Sequence, residues 1–460
     1  MTSKAWLLVL LLAVIGAGAF FAFPRWESSP PQITTPDDLT VGRAPVEIEI
    51  SVEDTGAGLR SLEIRLTSAA GVETLVTRDF PGSVLRGGRT HRAVVPVHLD
   101  IATLRLPDGR ATLTVTARDF SLRDGFSGNR AEETATVLVD TVAPKVSTLS
   151  GLTYIRRGGA GAVVYRVGPD ATRHGVRVAD AYFPGHPFTK NRSDLRVAIF
   201  AVPVDAPRNP PIRVVARDAA GNERSASFPA RVLEREFETR TLSLSRAFLE
   251  QRVRPLALAN GFGVADLSQA FRDVNEKLRK RNELRIRELL GDDPVRRRFH
   301  GAFEQMRGSK VTSGFAEQRH YLIDQREVSG AIHYGFDLAS TAGARVTAAN
   351  AGVVAFAGDL GIYGNCVIVD HGLGVRSLYG HLSETGVARG DDVEKGALLG
   401  RSGMTGLAGG DHLHFAILVG GAYVDPLEWW DAKWIESHIE ARLTEPESPA
   451  TDSTARLHTE

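Results

Sequence analysis

Hydrophobic and polar residues alternate with a period of two over two long stretches of the chain, which predicts half-buried β-strands. Residues 44–142 include VEIEISVED and TLTVTARD, and residues 143–235 have the same texture. In each stretch a strand ends in Asp, VTARD or VVARD, and is followed by a Gly-Asn pair, at 128–129 and at 221–222. This repeat predicts two β-sandwich modules that act either as spacers or as binding modules, and their texture resembles that of immunoglobulin-like modules.

The period changes to that of a helix within residues 243–300, which we interpret as a helical connector. Asp266 is placed to cap a helix, with Gln269 as its capping-box partner. The apolar residues that follow at helical spacing are Leu267, Phe271, Val274 and Leu278. Basic residues crowd the remaining positions, as is usual for a solvated helix face. We hypothesise that residues 266–290 restrain the domain that follows.

Strands separated by glycine-containing turns return in residues 301–430, which predicts a β-rich domain near the C-terminus. Residues 436–460 are polar and are expected to form a disordered tail. Residues 24–43 are rich in Pro, Ser and Thr and are expected to form a linker. The predicted fold is therefore mainly β and multidomain.

An uncharged run of nineteen residues, 5–23, follows Lys4. As a helix it would be about 28 Å long, close to the thickness of a bilayer core. It predicts a single-pass N-terminal transmembrane helix, a signal anchor in the inner (cytoplasmic) membrane, with the bulk of the chain in the periplasm or outside the cell. The alternative is a cleaved signal peptide that uses the small residues at 17–19.

Composition argues against nucleic-acid binding and excludes two kinds of site. The 55 basic residues balance 55 acidic ones, which gives no support to nucleic-acid binding. The chain has a single cysteine, Cys366, so an intramolecular disulfide and a CxxC metal site are both excluded. Cys366 lies in the apolar run NCVIVD and is expected to be a buried packing residue.

Histidines concentrate in the C-terminal β-rich domain. In GDHLHF, His412 and His414 are two residues apart and would project from one face of a strand. They are either core histidines bonded to carbonyl groups or part of a metal site. In HYGFD, His333 and Asp337 are placed on one face of an extended segment. With His412 or His414 they offer two nitrogens and a carboxylate oxygen, a set that suits catalytic Zn²⁺ with a fourth position open to water. The remaining histidine and His381 would be free for proton transfer.

In their order along the chain, these segments resemble the lysostaphin-type (LytM-like) zinc metallopeptidases over Ser313–Pro426. The motifs that carry the resemblance are SGFAEQR, HYGFDLAS, YGNCVIVDHG, LYGHLS, GDHLHF and VDP. The resemblance implies zinc ligands at His333, Asp337 and His414, and a catalytic pair at His381 and His412. It implies a structural role for His371. An insertion-like loop that contains His320 departs from the family pattern.

Every chemical position of the family motif is filled. The resemblance therefore implies a zinc metalloendopeptidase that hydrolyses the peptide cross-links of bacterial peptidoglycan in cell-wall remodelling. Two other functions stay open. One is a non-catalytic scaffold or activator of cell-wall hydrolases in the division machinery, and the other is a peptidase for exported proteins.

Overall fold

The chain divides into two compact units, one formed by residues up to 144 with 217–223 and the other by the remainder. A computed structural model describes residues 26–189, 192–289 and 296–443, together with residues 12, 13 and 16. The predicted signal anchor, apart from those three residues, and the predicted tail beyond residue 443 lie outside this part. Among the described residues no helix combines the length and the apolar content needed to cross a bilayer.

The first unit is built from two larger sheets that share one hydrophobic core, together with a small sheet of two strands, β6 and β7. The larger sheets have the strand orders β1-β3-β8 and β2-β10-β9-β4-β5. The strands are β1 Gln32–Thr34, β2 Leu39–Val41, β3 Val46–Glu53, β4 Leu59–Ser68, β5 Gly71–Asp79, β6 Gly82–Ser83, β7 Gly87–Gly88, β8 Arg92–Leu99, β9 Gly109–Asp119 and β10 Arg130–Val139, and the helix α1 is Ile101–Leu104. Alternate residues of β8 are buried, as the period-two pattern predicts. Both sheets supply the core, for example Val52 and Val97 from one and Leu66 and Val115 from the other.

The predicted linker 24–43 is wrong in part, because β1 and β2 lie within it. Ile33 of β1 pairs with Val52, and Leu39 of β2 pairs with Val137. Proline-rich segments are extended, and an extended segment can pair with the edge of a sheet without being a regular internal strand. The immunoglobulin-like topology of the two modules stays a prediction.

The second module, apart from residues 217–223, lies in the second unit. Buried and exposed residues alternate in its strand Thr153–Arg156, whereas its strand Ala160–Val167 is buried almost throughout. Its strands are β11 Val146–Thr148, β12 Thr153–Arg156, β13 Ala160–Val167, β14 Ala171–Val178, β15 Ala181–Pro184, β16 His186–Thr189, β17 Arg192–Ala201, β18 Ile212–Asp218, β19 Glu223–Ser227 and β20 Ala230–Leu233. They form sheets in the orders β11-β13-β17-β16, β15-β14-β18-β19 and β12-β20. The core of this module is continuous with the cores of the connector and of the C-terminal domain.

The connector begins with a strand, β21 (Thr239–Ser243), and continues as helices. These are α2 Arg246–Phe248, a π-helical turn Leu249–Val253, α3 Arg254–Ala259, α4 Leu267–Arg272, a π-helical stretch Asp273–Leu278 and α5 Arg279–Glu288. Asp266 caps α4 by accepting hydrogen bonds from the N–H groups of Ser268 and Gln269. The predicted capping box is incomplete, because the Gln269 side chain bonds Asp273 and Arg272 instead. Phe271, Val274 and Leu278 are buried, as their spacing predicts.

The C-terminal domain is organised around a long sheet with the order β22-β25-β33-β29-β28-β27-β31, with β34 paired to β33. Two smaller sheets, β21-β23-β24 and β26-β32-β30, complete it. The strands are β22 Lys310–Ser313, β23 Glu317–Ile323, β24 Arg326–His333, β25 Phe336–Ala339, β26 Arg345–Thr347, β27 Gly352–Asp359, β28 Asn365–Asp370, β29 Val375–Leu382, β30 Glu384–Thr385, β31 Asp392–Val393, β32 Leu398–Arg401, β33 Leu413–Val419 and β34 Ala422–Val424, with a 3₁₀ turn at Gly361–Tyr363. Cys366 is a free, fully buried cysteine, as expected.

The predicted disordered tail begins too early. After β34 the chain forms α6 Pro426–Trp430, α7 Ala432–Ile435, a π-helical turn Glu436–Glu440 and α8 Ala441–Leu443. Ile439 is fully buried and Glu440 forms an ion pair with Arg297. These two contacts hold residues 436–443 against the domain, although their composition is polar.

Candidate metal centre

Three side chains from neighbouring segments meet at one end of the long sheet. His333 is the last residue of β24, Asp337 lies in β25 and His414 lies in β33. Asp337 and His414 are direct partners in the antiparallel pairing of β25 with β33, so their side chains share one face. Gly335 makes the approach of His333 possible, since a Cβ atom there would lie 2.6 Å from the Phe415 carbonyl oxygen and 2.7 Å from His414 Cε1.

The potential ligand atoms form a small triangle. His333 Nε2 lies 3.0 Å from Asp337 Oδ1 and 3.0 Å from His414 Nδ1, and His414 Nδ1 lies 3.1 Å from Asp337 Oδ1. Ligand atoms around a tetrahedral zinc ion are about 3.3 Å apart, given zinc–ligand distances of about 2.0 Å. The triangle therefore fits such an ion after shifts of a few tenths of an ångström.

The hydrogen-bond partners of His333 also suit a metal ligand. Its Nδ1 atom is 2.9 Å from the carbonyl oxygen of Gly314, to which it donates. In the neutral ring, Nε2 then carries a lone pair, and it points at a carboxylate oxygen and a second imidazole nitrogen. His333 and His414 are both buried. Three acceptor atoms that converge on one point, two of them from buried side chains, are best satisfied by a cation.

The two oxygens of Asp337 have different surroundings. Oδ1 faces the imidazoles, while Oδ2 accepts a hydrogen bond from Arg319 Nη2 over 3.0 Å. Burial alone would raise the pKa of the Asp337 carboxyl, but its electrostatic interactions with His333, His412 and His414 outweigh burial and hold that pKa well below its usual value. Asp337 is therefore a carboxylate at neutral pH.

His412 and His381 lie beside the triangle. His412 precedes β33 and forms an isolated bridge with Gly403, so it is not in the strand that the sequence predicts for it. Its Nδ1 donates to the Gly410 carbonyl oxygen over 2.8 Å, and its Nε2 is 3.4 Å from Asp337 Oδ1. The ring of His381 is centred 4.8 Å from that of His412.

His381 has an uncommon backbone conformation for a residue other than glycine, with φ of 65°. Strained residues of this kind cluster at functional sites. His381 Nδ1 donates to the Thr405 carbonyl oxygen over 2.8 Å, which leaves Nε2 as the exchangeable nitrogen. Burial lowers the pKa of His381 to about 3 and that of His414 to about 4, so both rings are neutral at pH 7.

His371 lies apart from the group, as the resemblance implies. Its Nδ1 is 2.7 Å from the Ala351 carbonyl oxygen and its Nε2 is 2.7 Å from Ser377 Oγ. The edge of the Phe303 ring packs against it. Both nitrogens are therefore occupied by structural hydrogen bonds.

The structure thus brings together all five predicted site residues, His333, Asp337, His381, His412 and His414. Their division into ligands and proton-transfer residues stays a prediction. Sequence reasoning missed Arg319, which contacts Asp337, and Glu317, which contacts Arg319. Both lie within SGFAEQR, but spacing alone did not indicate a role for either.

The insertion-like loop is a β-hairpin of β23 and β24. Its turn residues Asp324 and Gln325 both have positive φ, at 48° and 64°, as a two-residue turn of this hand requires. His320 is far from the triangle along this hairpin and pairs with Glu327. The hairpin supplies His333 at its base, and its other edge pairs with β21.

The sequence of residues 331–426, which includes all five site residues, matches Peptidase family M23. Two curated relatives are the DD-carboxypeptidase/endopeptidase Mpg of Neisseria meningitidis, 35% identical over 119 residues, and the peptidoglycan DD-endopeptidase ShyA of Vibrio cholerae, 33% identical over 119 residues. Each match covers 26% of this chain, and it spans 26% of the first relative and 27% of the second.

Among solved structures, the catalytic domain of the antimicrobial peptidase lysostaphin from Staphylococcus simulans is 29% identical. It is covered over 98% of its length by 28% of this chain, with a TM-score of 0.25. The family match lies within the C-terminal domain that carries the histidine and aspartate cluster. Residues 331–426 of this domain, about a fifth of the chain, are thus the part that matches Peptidase family M23.

Proposed function

We propose that the chain is a zinc metalloendopeptidase that hydrolyses the peptide cross-links of bacterial peptidoglycan in cell-wall remodelling. The observation that carries the proposal is the convergence of His333 Nε2, Asp337 Oδ1 and His414 Nδ1 within 3.1 Å of one another. The two DD-endopeptidase relatives support the substrate class, although they share only about a quarter of their length with this chain.

His333, Asp337 and His414 would hold the zinc ion. When bound, zinc supplies Lewis acidity for the hydrolysis of a peptide bond. Asp337 contributes the negative charge of the site, and the carbonyl of Gly314 fixes the His333 tautomer that leaves Nε2 free to bind.

His381 and His412 would move protons. In each ring Nδ1 donates to a backbone carbonyl, from Thr405 and Gly410 respectively, so Nε2 is the atom available for exchange with substrate or water. The two carbonyl contacts also fix the ring orientations before substrate binds, which is the preorganisation that proton transfer in catalysis requires.

The test is digestion of purified sacculi, with the released muropeptides identified by mass spectrometry with and without a chelator. We expect cleavage of cross-links that is lost with the chelator and lost in His333→Ala. His320→Ala is the matched control, because His320 is half-buried on the same hairpin and Glu327 is the side chain that pairs with its ring among the described residues. That variant should retain both zinc and activity.

The same experiment separates the alternatives. A chain that binds zinc weakly or not at all and leaves sacculi intact would be a scaffold or activator. Cleavage of a protein substrate without cleavage of sacculi would indicate a peptidase for exported proteins. The filled set of five residues favours the hydrolase.

We also propose that the protein is anchored in the inner membrane, with its C-terminal domain in the periplasm. The support is the uncharged run 5–23. Fractionation of cells that produce the full chain tests this, since an anchored protein stays with the membranes after extraction at alkaline pH. Release of the mature chain into the soluble fraction would indicate cleavage instead.

A further inference from the structure

Arg319 joins the metal centre to a chain of charges behind it. Its Nη2 donates to Asp337 Oδ2 over 3.0 Å and to Ser313 Oγ over 2.6 Å. Its Nε donates to Glu317 Oε1 over 2.8 Å. The planar guanidinium is thus held at both ends, and its position relative to Asp337 is fixed.

Glu317 is buried, with 2% of its side chain exposed. Its Oε2 atom accepts no hydrogen bond from any described residue, but it lies 3.4 Å from Arg240 Nη1. Arg240 belongs to β21, which pairs in parallel with β23. The ionic chain therefore runs from Arg240 through Glu317 and Arg319 to Asp337.

Such a chain costs desolvation energy, and an ion pair inside a protein is weak evidence of a contribution to stability. Its geometry favours another role. With Oδ2 occupied by Arg319, Asp337 presents only Oδ1 to His333 and His414. Residues behind a ligand orient it and tune the affinity of the metal, and their loss costs about 10- to 100-fold in affinity.

We propose that Arg319, held in place by Glu317, is a positioning residue that orients Asp337 as a single-oxygen metal ligand. This inference rests on the proposed zinc site. It also implies that the functional unit begins before the region that matches the family. Arg319, Glu317 and Arg240 all precede residue 331, where the match to the family begins. The metal centre thus depends on the hairpin and on β21, beyond the matched region.

The test measures the zinc affinity of the full chain by competition with a chromogenic chelator. We expect Arg319→Met to weaken zinc binding by about 10- to 100-fold. Arg319→Lys should weaken zinc binding less, because lysine keeps the positive charge but lacks the planar guanidinium with its several N–H donors. Glu317→Gln should also weaken zinc binding, since it removes the charge that holds Arg319 in place and leaves Asp337 unchanged. Arg326→Met is the matched control, because Arg326 is exposed on the same hairpin, and it should keep the wild-type affinity.

The visible absorption of the Co²⁺-substituted protein gives a second readout, one that a merely structural role would not change. We expect the spectrum of Arg319→Lys to differ from that of the wild type and the spectrum of Arg326→Met to match it. If Arg319→Met does not fold, Arg319→Lys and Glu317→Gln decide the question.

Wild-type zinc affinity and an unchanged Co²⁺ spectrum in both Arg319→Lys and Glu317→Gln would overturn the inference and leave the proposed function intact. A wild-type chain that binds neither metal would overturn the proposed function, and the inference with it.

Discussion

The Tyr363 hydroxyl donates a hydrogen bond to Glu283 Oε1 over 2.7 Å and so joins the connector helix α5 to the turn beside the metal centre. The Tyr363 ring is centred 5.4 Å from the ring of His414. At the preceding position of the helix, Asn282 Oδ1 accepts a hydrogen bond from the N–H of Ile362 over 2.9 Å. Burial, and then the charge of Glu283, raise the pKa of Tyr363, which keeps its hydroxyl a donor at any ordinary pH.

We expect Tyr363→Phe to lower the free energy of unfolding by about 1–3 kcal/mol, because a buried hydroxyl that bonds a carboxylate is lost. Hydrogen exchange should become faster in residues 279–288, the helix that this bond ties down. Glu288→Gln is the control. Glu288 lies at the end of the same helix, exposed and paired only with Arg285 among the described residues, and its replacement should change neither quantity.

The same variant tests the hypothesis that residues 266–290 restrain the catalytic domain. If they do, activity toward sacculi rises in Tyr363→Phe as the protection of the helix falls. A parallel loss of activity and protection would contradict restraint. It would show instead that the helix supports the turn beside His414.

Gly335 gives a second prediction. Because the Cβ of Gly335→Ala would lie within 2.7 Å of the Phe415 carbonyl oxygen and of the His414 ring, β25 and β33 have to separate. We expect a loss of stability of about 1–3 kcal/mol, as for other overpacked sites. Zinc affinity should fall as well, since the His333–His414 distance cannot be kept.

Calorimetric titration with zinc and urea denaturation check both effects. Gly409→Ala is the control, because a Cβ at Gly409 meets no described atom within 4 Å. A Gly335→Ala variant that binds zinc as the wild type does would show that the strand spacing is adjustable.

The sequence identified five residues that the structure brings together, but not the path by which they meet. His333 and Asp337 were expected to share a face of one extended segment. Instead, His333 is the last residue of β24 and Asp337 lies in β25, and the two strands are separated by Tyr334 and Gly335. The resemblance to the lysostaphin-type family carried the prediction of the ligand set, and histidine and aspartate are residue types that suit zinc.

Contacts that depend on tertiary structure could not be predicted from the sequence. Glu283 and Tyr363 are 80 residues apart, and neither position has a periodic or spacing signal that joins them. The short strand β1 was not predicted, because the residues around it are rich in proline. The burial of Ile439 was not predicted either, because its neighbours in the sequence are polar. In each case a single packed or paired residue outweighs the composition around it.

His371 provides a test of the structural role that the resemblance implies. We expect His371→Ala to lower the free energy of unfolding by about 2–4 kcal/mol, because it leaves a cavity and removes one of the hydrogen bonds of the buried Ser377 hydroxyl, which then keeps only its bond to Tyr379 among the described residues. Zinc stoichiometry at low temperature should stay at the wild-type value. Loss of bound zinc from a folded His371→Ala variant would place this ring in the metal centre instead.

Glu428 predicts how stability depends on pH. It is buried in α6, where Oε2 accepts the N–H of Ala160 over 2.9 Å. Burial, helped by the charge of Asp425, raises the pKa of Glu428 from 4.5 to about 7, against the opposing effects of the Ala160 hydrogen bond and the charges of Arg156 and Arg235. An acid whose pKa is higher in the folded state is more stable when protonated, so its contribution is fully present below pH 4.5 and is lost as the pH rises through 7.

The loss amounts to about 3 kcal/mol above that range, at about 1.4 kcal/mol for each unit of pKa. We therefore expect Glu428→Gln, which keeps an acceptor for Ala160 without the charge, to be more stable than the wild type at pH 8 and nearly equal to it at pH 5. Urea denaturation across this range measures the difference. Glu436→Gln, an exposed position in the following helical turn, is the control and should show no such divergence. A constant difference between Glu428→Gln and the wild type at every pH would mean that Glu428 does not titrate in the folded protein, and that its carboxylate is accommodated by Arg235 and Arg156.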